Sequence, residues 1–168
     1  MKISATLEEL INNQIQMEFE SRYAYLGLSA WFETTSFRGF ASWMRQQASE
    51  ENFHAMKFFD YLNDRFGTVK LLPIGAPVNS FNSPLDAFQA SLAHEQKVTA
   101  SIGDIYEAAL NEKDYQTAEF LNWFLREQVE EEKTVQDIID ELKLAGKDAD
   151  ALLRIDKEAS CRSETKEC

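Results

Sequence analysis

Apolar residues recur along most of the chain at spacings of three and four, the period that places them on one face of an α-helix. Four long segments have this pattern, at about residues 6–37, 40–66, 83–111 and 114–145, and a shorter one follows at roughly residues 148–159. The pattern predicts four long helices and a short fifth helix.

Residues that favour helix ends stand between these segments. Thr6, with a glutamate three residues later, predicts a capping box at the start of the first helix. Gly67 is predicted to cap the end of the second helix, and Gly146 stands where the fourth should stop. Ser83, followed by proline, and Asp114 suit the first residues of the third and fourth helices.

The segment from Gly67 to Asn82 is predicted as the one long connection, because all three prolines lie between residues 73 and 84. A helix of 26 residues is roughly 39 Å long, and sixteen extended residues can span up to ~53 Å. A simple up-down bundle needs only short loops. The sequence therefore predicts an all-α four-helix bundle in which one long crossover makes the second and third helices parallel.

Polar residues interrupt the apolar face of each long helix near its middle. They are Glu18, Glu51, His54, Glu95, Gln128 and Glu131. Adding 77 to the numbers 18, 51 and 54 gives 95, 128 and 131, so the two halves of the chain carry the same spacing. Residues three apart on a helix point the same way. Glu51 with His54, and Gln128 with Glu131, can therefore each bind one ion or ligand. The pattern predicts a pseudo-twofold site in the middle of the bundle.

The four glutamates of this set indicate a metal site. Burying four carboxylates together is opposed by desolvation and by mutual repulsion, and two divalent cations would balance their charge. Carboxylates with one imidazole suit iron or manganese, as in di-iron carboxylate bundles, and the lack of thiolates in the set disfavours structural zinc. His54 alone could be a core histidine, but the matching register on four helices favours a metal.

Composition narrows the function classes. With 44% hydrophobic residues and 27% charged residues, the chain can bury a core. Its 29 acidic and 17 basic residues give a net charge of −12, which argues against nucleic acid or an anionic membrane as a partner and favours cations. The first residues lack the apolar core of a signal peptide, so we expect a cytoplasmic protein.

The two cysteines, Cys161 and Cys168, lie in the polar last eight residues. A disulfide framework would instead connect the body of a fold. We expect one domain over residues 1–160, followed by a polar tail with free thiols over residues 161–168.

The sequence resembles the ferritin superfamily, and most closely the bacterial non-haem ferritins, over about residues 5–160. The resemblance is carried by Glu18 with Tyr25, the run from Glu50 to His54, Glu95, and the run from Phe120 to Lys133.

The resemblance implies a di-iron ferroxidase centre within the subunit. It makes Glu18, Glu51 and His54 ligands of one iron. Glu51 would bridge to a second iron, which Glu95 and Glu131 would also hold.

Further residues receive roles from the same resemblance. Gln128 would lie close to the second iron, and Tyr25 would hydrogen-bond a ligand carboxylate, with Glu95 as the candidate. Trp123 is a weaker candidate for a supporting role, because a core tryptophan is the ordinary explanation. A third iron site, otherwise explained as a charged helix face, would be formed by Glu50, Glu127 and Glu130.

Departures from neighbouring families refine the assignment. Bacterioferritins generally repeat Glu-x-x-His where this chain has Gln128 and Glu131, and their haem-ligating methionine would stand at Asn52, so no haem is expected. There is no Cys-x-x-Cys segment, as a rubrerythrin-type electron relay would need, and DNA-protecting mini-ferritins generally lack the fifth helix. His94 lies off its apolar face and is predicted to be a surface residue.

The resemblance implies an iron-storage ferritin. Such a subunit oxidises Fe(II) with O2 or H2O2 and stores Fe(III) as a ferric oxyhydroxide mineral inside a homo-oligomeric shell of 24 chains. Two alternatives stay open at this point: a di-iron enzyme that retains its metals, such as a peroxidase or oxygenase, and a structural helical bundle whose acids are solvated.

Overall fold

The computed structural model describes residues 2–164, which form five α-helices and no β-strand. The helices are α1 (Ala5–Glu33), α2 (Arg38–Asp64), α3 (Pro84–Asn111), α4 (Tyr115–Ala145) and α5 (Ala149–Glu164). The predicted all-α bundle with a fifth helix is confirmed, although α5 continues past the expected end near residue 159. Cys161 is an exposed free thiol, and Cys168 lies outside the described residues.

Two of the predicted helix caps are wrong. Ser4, and not Thr6, caps α1: its side chain accepts a hydrogen bond from the Leu7 amide, and Thr6 lies inside the helix. At the end of α2 the left-handed residue is Phe66, with φ of 58°, and not Gly67. The space at Gly67 is tight, because a Cβ there would lie 2.4 Å from Leu62 Cδ1 and the buried leucine would have to shift.

The predicted caps of α3 and α4 are present. Ser83 Oγ accepts from the Asp86 amide at 3.1 Å, and Asp114 Oδ1 accepts from the Thr117 amide at 3.0 Å. At the end of α4, Gly146 has φ of 58°, a conformation that favours glycine. These ends were recognisable because each depends on a local sequence signal.

The helix directions follow from contacts between helices. Gln47 and Tyr61 of α2 bond to Glu131 and Thr117 of α4, so the numbers rise on one helix as they fall on the other and the two helices are antiparallel. The short turn at residues 112–114 makes α3 antiparallel to α4 as well. It follows that α2 and α3 are parallel, as the crossover length predicts.

The crossover runs along α1 and is hydrogen-bonded to it. Asn12 Nδ2 donates to the Thr68 carbonyl at 2.9 Å, and its Oδ1 accepts from the Lys70 amide at 2.6 Å. Further along, Gln16 Nε2 donates to the Pro73 carbonyl at 2.7 Å. The long connection is thereby held along the bundle.

Two hydrophobic clusters fill the bundle, one toward each end. One includes Phe32, Phe40, Met44, Phe88 and Ile138, and the other includes Leu7, Ile11, Phe58, Ile102 and Leu121. The polar residues predicted from the sequence lie between the two clusters. None of the helices in residues 2–164 has the length and hydrophobicity needed to cross a membrane.

Candidate metal centre

The polar layer between the two hydrophobic clusters is buried. Its six predicted members are each 3% exposed or less: Glu18, Glu51, His54, Glu95, Gln128 and Glu131. Each is positioned by the apolar residues before and after it on the same helix face, which pack into the two clusters. Helix periodicity therefore brings ionisable groups into the interior, where charge is poorly solvated.

One set of side chains that is close enough to hold a single metal ion, a metal-sized group, comes from α1 and α2. Glu18, Glu51 and His54 each offer a ligand atom, and the three atoms lie within 4.8 Å of one another. His54 Nδ1 is 3.4 Å from Glu51 Oε2, because the two residues are three apart on one helix. Atoms bound to one cation at about 2.1 Å lie roughly 3 to 4 Å apart, so a small adjustment would let this group bind a metal ion.

A second group extends the first toward α4. His54, Glu127 and Glu131 also offer ligand atoms within 4.8 Å of one another, so the two groups share the imidazole. The family resemblance associates Glu127 with Glu50 and Glu130 and does not predict this grouping. A signal was available, because Glu127 and Glu131 are four residues apart on one face of α4.

Among the described residues, neither group includes Glu50, Glu95 or Glu130. Glu50 is half-buried and Glu130 is exposed. The third iron site formed by Glu50, Glu127 and Glu130 therefore stays a prediction.

The carboxylate of Glu95 is held by two neutral donors. The Tyr25 hydroxyl donates to Glu95 Oε1, and Gln128 Nε2 lies 3.3 Å from Glu95 Oε2. Gln128 Nε2 is also 3.2 Å from Thr99 Oγ1. These contacts fix the Glu95 side chain at the edge of the two metal-sized groups.

Two glutamines that were given no role from the sequence alone support the site. Gln14 Nε2 donates to Glu18 Oε1 at 2.8 Å, and Gln47 Nε2 donates to Glu131 Oε2 at 2.7 Å. Ser101 Oγ in turn donates to Gln14 Oε1 at 2.6 Å. Each glutamine lies four residues before a site glutamate, Glu18 or Glu51, and so on the same helix face. Only the folded chain shows which carboxylate it reaches.

Each supported carboxylate keeps one oxygen without a partner. Glu18 Oε2 and Glu131 Oε1 are buried and accept no hydrogen bond. A buried acceptor left unsatisfied costs about 1–3 kcal/mol, and more when it is charged. Both residues belong to the metal-sized groups, so a cation bound there would satisfy these oxygens. The donor set therefore fits a hard or borderline divalent metal.

The pKa values of the buried glutamates also indicate that a cation would stabilise the site. Burial, together with repulsion from neighbouring carboxylates, raises the pKa of Glu18 and Glu51 well above the usual value. The same two causes raise the pKa of Glu131 to about 8. Burial also raises the pKa of Glu95, although the Tyr25 hydrogen bond opposes this. Metal binding would favour the ionised forms that burial disfavours.

Aromatic residues enclose the imidazole. The rings of Trp123 and Phe124 lie 5.5 and 5.9 Å from that of His54, both edge-on. Lys57 Nζ lies 4.3 Å from the centre of the Trp123 ring. Trp123 thus contacts a metal-sized group through His54, and it is only partly buried.

The prediction that His94 is a surface residue is wrong. The side chain is half-buried, and its Nε2 lies 2.6 Å from Ser21 Oγ of α1. Burial, with the charge of Lys97, lowers the pKa of His94. The residue lies off the central face of α3 but on the face that packs against α1. The apolar pattern of α3 alone does not distinguish this face from an exposed one.

Together, the fold and the site define a helical-bundle protein with buried carboxylate and histidine groups that could hold metal ions. A family model described as a ferritin-like domain matches residues 8–145. This match covers most of the chain, so the chain belongs to the ferritin family.

Similar proteins agree with this assignment. The bacterial non-heme ferritin of Staphylococcus haemolyticus is 42% identical over 161 residues, which cover 96% of this chain and 97% of the relative. The bacterial non-heme ferritin of Staphylococcus aureus strain USA300 is 40% identical over the same shares.

Solved structures match closely as well. A structure of an open pore ferritin from the hyperthermophilic archaeon Archaeoglobus fulgidus superposes with a TM-score of 0.94 at 44% identity, covering 95% of this chain and 98% of the other. An engineered closed form of that ferritin gives a TM-score of 0.93 at 45% identity, with coverages of 95% and 97%.

Proposed function

We propose that this chain is the subunit of an iron-storage ferritin whose buried centre oxidises Fe(II) to Fe(III). The observation that carries the proposal is the pair of metal-sized groups that share His54. The unpartnered oxygens of Glu18 and Glu131 supply the second argument, because they are buried acceptors in these two groups.

In this proposal Fe(II) is a substrate. Glu18, Glu51 and His54, the first metal-sized group, bind one ion. As the resemblance implies, Glu51 bridges to a second ion. Glu131 of the second group and Glu95, which belongs to neither group, also hold that ion. Tyr25 and Gln128 position the Glu95 carboxylate through their hydrogen bonds. Two Fe(II) ions give up one electron each, and O2 with two protons becomes H2O2. With H2O2 as oxidant, the same two electrons and two protons yield two water molecules.

The second half of the site is suited to passing its product onward. Gln128 offers a neutral amide where related centres have a charged or imidazole ligand, which should bind the second iron more loosely. Glu127 is half-buried and belongs to the second metal-sized group, which shares His54 with the first. We therefore propose a third iron position near Glu127, to which Glu50 and Glu130 would contribute, as the resemblance implies.

Storage requires an enclosed volume, so we propose a shell of 24 chains that holds a ferric oxyhydroxide mineral. Such a shell has a mass of about 460 kDa, given 19.3 kDa per chain. The structural relatives that carry the ferritin name support assembly into an oligomer. Size-exclusion chromatography with light scattering measures this mass directly, and a monomer or dimer at micromolar concentration would contradict storage.

Aerobic stopped-flow absorbance on the metal-free protein, titrated with Fe(II), tests the activity. We expect a fast phase that saturates near two irons per chain, followed by slower uptake of many more. A fast phase without further uptake would instead identify an enzyme that retains its metals. Absence of a fast phase would show that the buried acids do not form a ferroxidase.

A further inference from the structure

A cavity of about 150 Å³ lies between α1 and α3, next to the crossover. Carbon atoms form most of its wall: Ala24 and Leu28 come from α1, Val78 and Phe81 from the crossover, and Ala90 from α3. The cavity is separate from the metal-sized groups, and no residue in its described lining is an acid or a lysine. It is therefore not a further iron site.

The polar side chains at the cavity already have hydrogen-bond partners. Ser91 Oγ donates to the Ala87 carbonyl at 3.2 Å, and the Tyr25 hydroxyl donates to Glu95. A third polar residue, His94, has its Nε2 within hydrogen-bond distance of a serine hydroxyl on α1. The cavity is open on one side, since Val78 is 66% exposed and Ala90 is exposed as well. Its apolar wall offers water few hydrogen-bond partners, and apolar volumes take up xenon or small apolar molecules.

The position of the cavity connects it with the metal centre. Tyr25 lines the cavity and is only 1% exposed, while its hydroxyl bonds to Glu95 of the buried site. Ser91 and His94 of the lining come four residues and one residue before Glu95 on α3. Tyr25 thus contacts both the small apolar volume and a proposed iron ligand.

We propose that this cavity binds molecular oxygen and supplies it to the iron centre past Tyr25. This inference rests on the proposed function, because an oxidant is needed only if Fe(II) is oxidised there. Oxygen is a small apolar molecule and is favoured in an apolar cavity over water. Fe(II) is charged, so it enters elsewhere, and the two substrates reach the site by different routes.

Xenon is the probe for occupancy, because it requires an apolar cavity and has no chemistry of its own. In crystals of the wild-type protein under xenon pressure, we expect a xenon peak between Leu28 and Phe81. The double variant Ala24→Leu/Ala90→Leu fills the cavity and should remove the peak. A matched control, Ala30→Leu/Ala100→Leu, changes exposed alanines on the same two helices and should keep it.

Oxidation rates test the supply of oxygen. At saturating Fe(II), we expect the filled variant to need at least about fivefold more O2 for half-maximal rate, with little change at saturating O2. Its rate with H2O2 and its Co(II) stoichiometry should match the wild type, because neither depends on an apolar gas. Ala90→Phe, at an exposed position, is a second blocking variant if the double variant does not assemble.

The outcomes separate the inference from the proposed function. Absence of xenon from the wild-type cavity, or the same O2 dependence in wild type and filled variants, would overturn the oxygen site. Failure of the wild type to oxidise Fe(II) with either O2 or H2O2 would contradict the proposed function, and oxygen supply with it. A higher O2 requirement in the filled variant, with oxidation by H2O2 as fast as in the wild type, is the result that supports the site.

Discussion

Asp156 of α5 accepts a hydrogen bond from the Phe40 amide of α2 at 2.7 Å, across 116 residues of sequence. The residue at the N-cap position of α2, Phe37, makes no side-chain capping bond. Asp156, from a distant helix, takes the place of an N-cap side chain. Gly39 permits the approach, since a Cβ there would lie 1.9 Å from the Asp156 carbonyl oxygen. The fifth helix is thereby attached to the start of the second.

Asp156→Ala should destabilise the protein. The substitution removes the acceptor of a buried amide at a helix N-terminus, and loss of such a cap costs about 0.5–2 kcal/mol. Urea denaturation of the variant and the wild type measures the free energy of unfolding. Glu158→Ala, which removes an exposed charge from the same helix, is the matched control and should change this value by less than about 0.5 kcal/mol. Equal losses in the two variants would mean that the cap contributes nothing.

Glu51→Ala should abolish the fast phase of Fe(II) oxidation. Glu51 is 1% exposed and belongs to the first metal-sized group, so its removal should cost at least about a hundredfold in rate, as loss of a transition-state interaction does. Glu130→Ala, at an exposed position, should leave the first turnover intact and slow later ones. Stopped-flow absorbance compares the two variants, and equal initial rates for wild type and Glu51→Ala would contradict the site assignment.

The metal-free protein should lose stability as the pH rises from about 5 to 8. The pKa of Glu131 is raised to about 8 in the folded chain, so the native state holds a proton that the unfolded state has released. Stability is therefore highest below the ordinary glutamate pKa and decreases as the pH rises toward the folded value. Calorimetry should show this decline, and saturating Co(II) should reduce it because the metal favours the ionised carboxylates.

Glu131→Gln isolates this effect. The amide cannot ionise, so the metal-free variant should lose less stability between pH 5 and pH 8 than the wild type. Glu130→Gln, an exposed neighbour, should follow the wild-type profile. Parallel profiles for wild type and Glu131→Gln would show that the buried carboxyl does not determine the pH dependence.

Asp114→Ala should be one of the more damaging substitutions outside the candidate metal site. Asp114 caps α4 and pairs with Arg65 at 2.7 Å, with side chains only 12% and 10% exposed. Removing one partner of a buried pair costs about 3–5 kcal/mol, because the other charge stays buried. Asp137→Ala breaks an exposed pair with Lys133 and should cost less than about 1 kcal/mol. Denaturant titrations of the two variants make this comparison.

The same pair predicts a response to acid. The Arg65 guanidinium lowers the pKa of Asp114, so the pair stabilises the fold above the ordinary aspartate pKa and is lost as the pH falls through the lower folded value. The stability difference between wild type and Asp114→Ala should therefore narrow in acid. A difference independent of pH would assign the loss to packing and capping alone.

Much of the fold could be predicted because its signals are local or depend on length. Helix periodicity placed the five helices, and the length of the crossover gave the parallel direction of α2 and α3. The errors fall at helix ends, where several residues can fill one role. Ser4 replaced Thr6 as a cap, and Phe66 rather than Gly67 took the left-handed position, because packing around the end decides among neighbours.

For the candidate site, the sequence by itself determined which residues are buried at mid-bundle, because the register of Glu18, Glu51, His54 and Glu131 follows from helix geometry. Only the tertiary structure decided their partners: Gln14 and Gln47 on the carboxylates, Glu127 beside His54, and Tyr25 between the site and an apolar cavity. The physical reason is that periodicity fixes the face a side chain occupies. Which atom it meets on another helix depends on how the helices are rotated and shifted against one another.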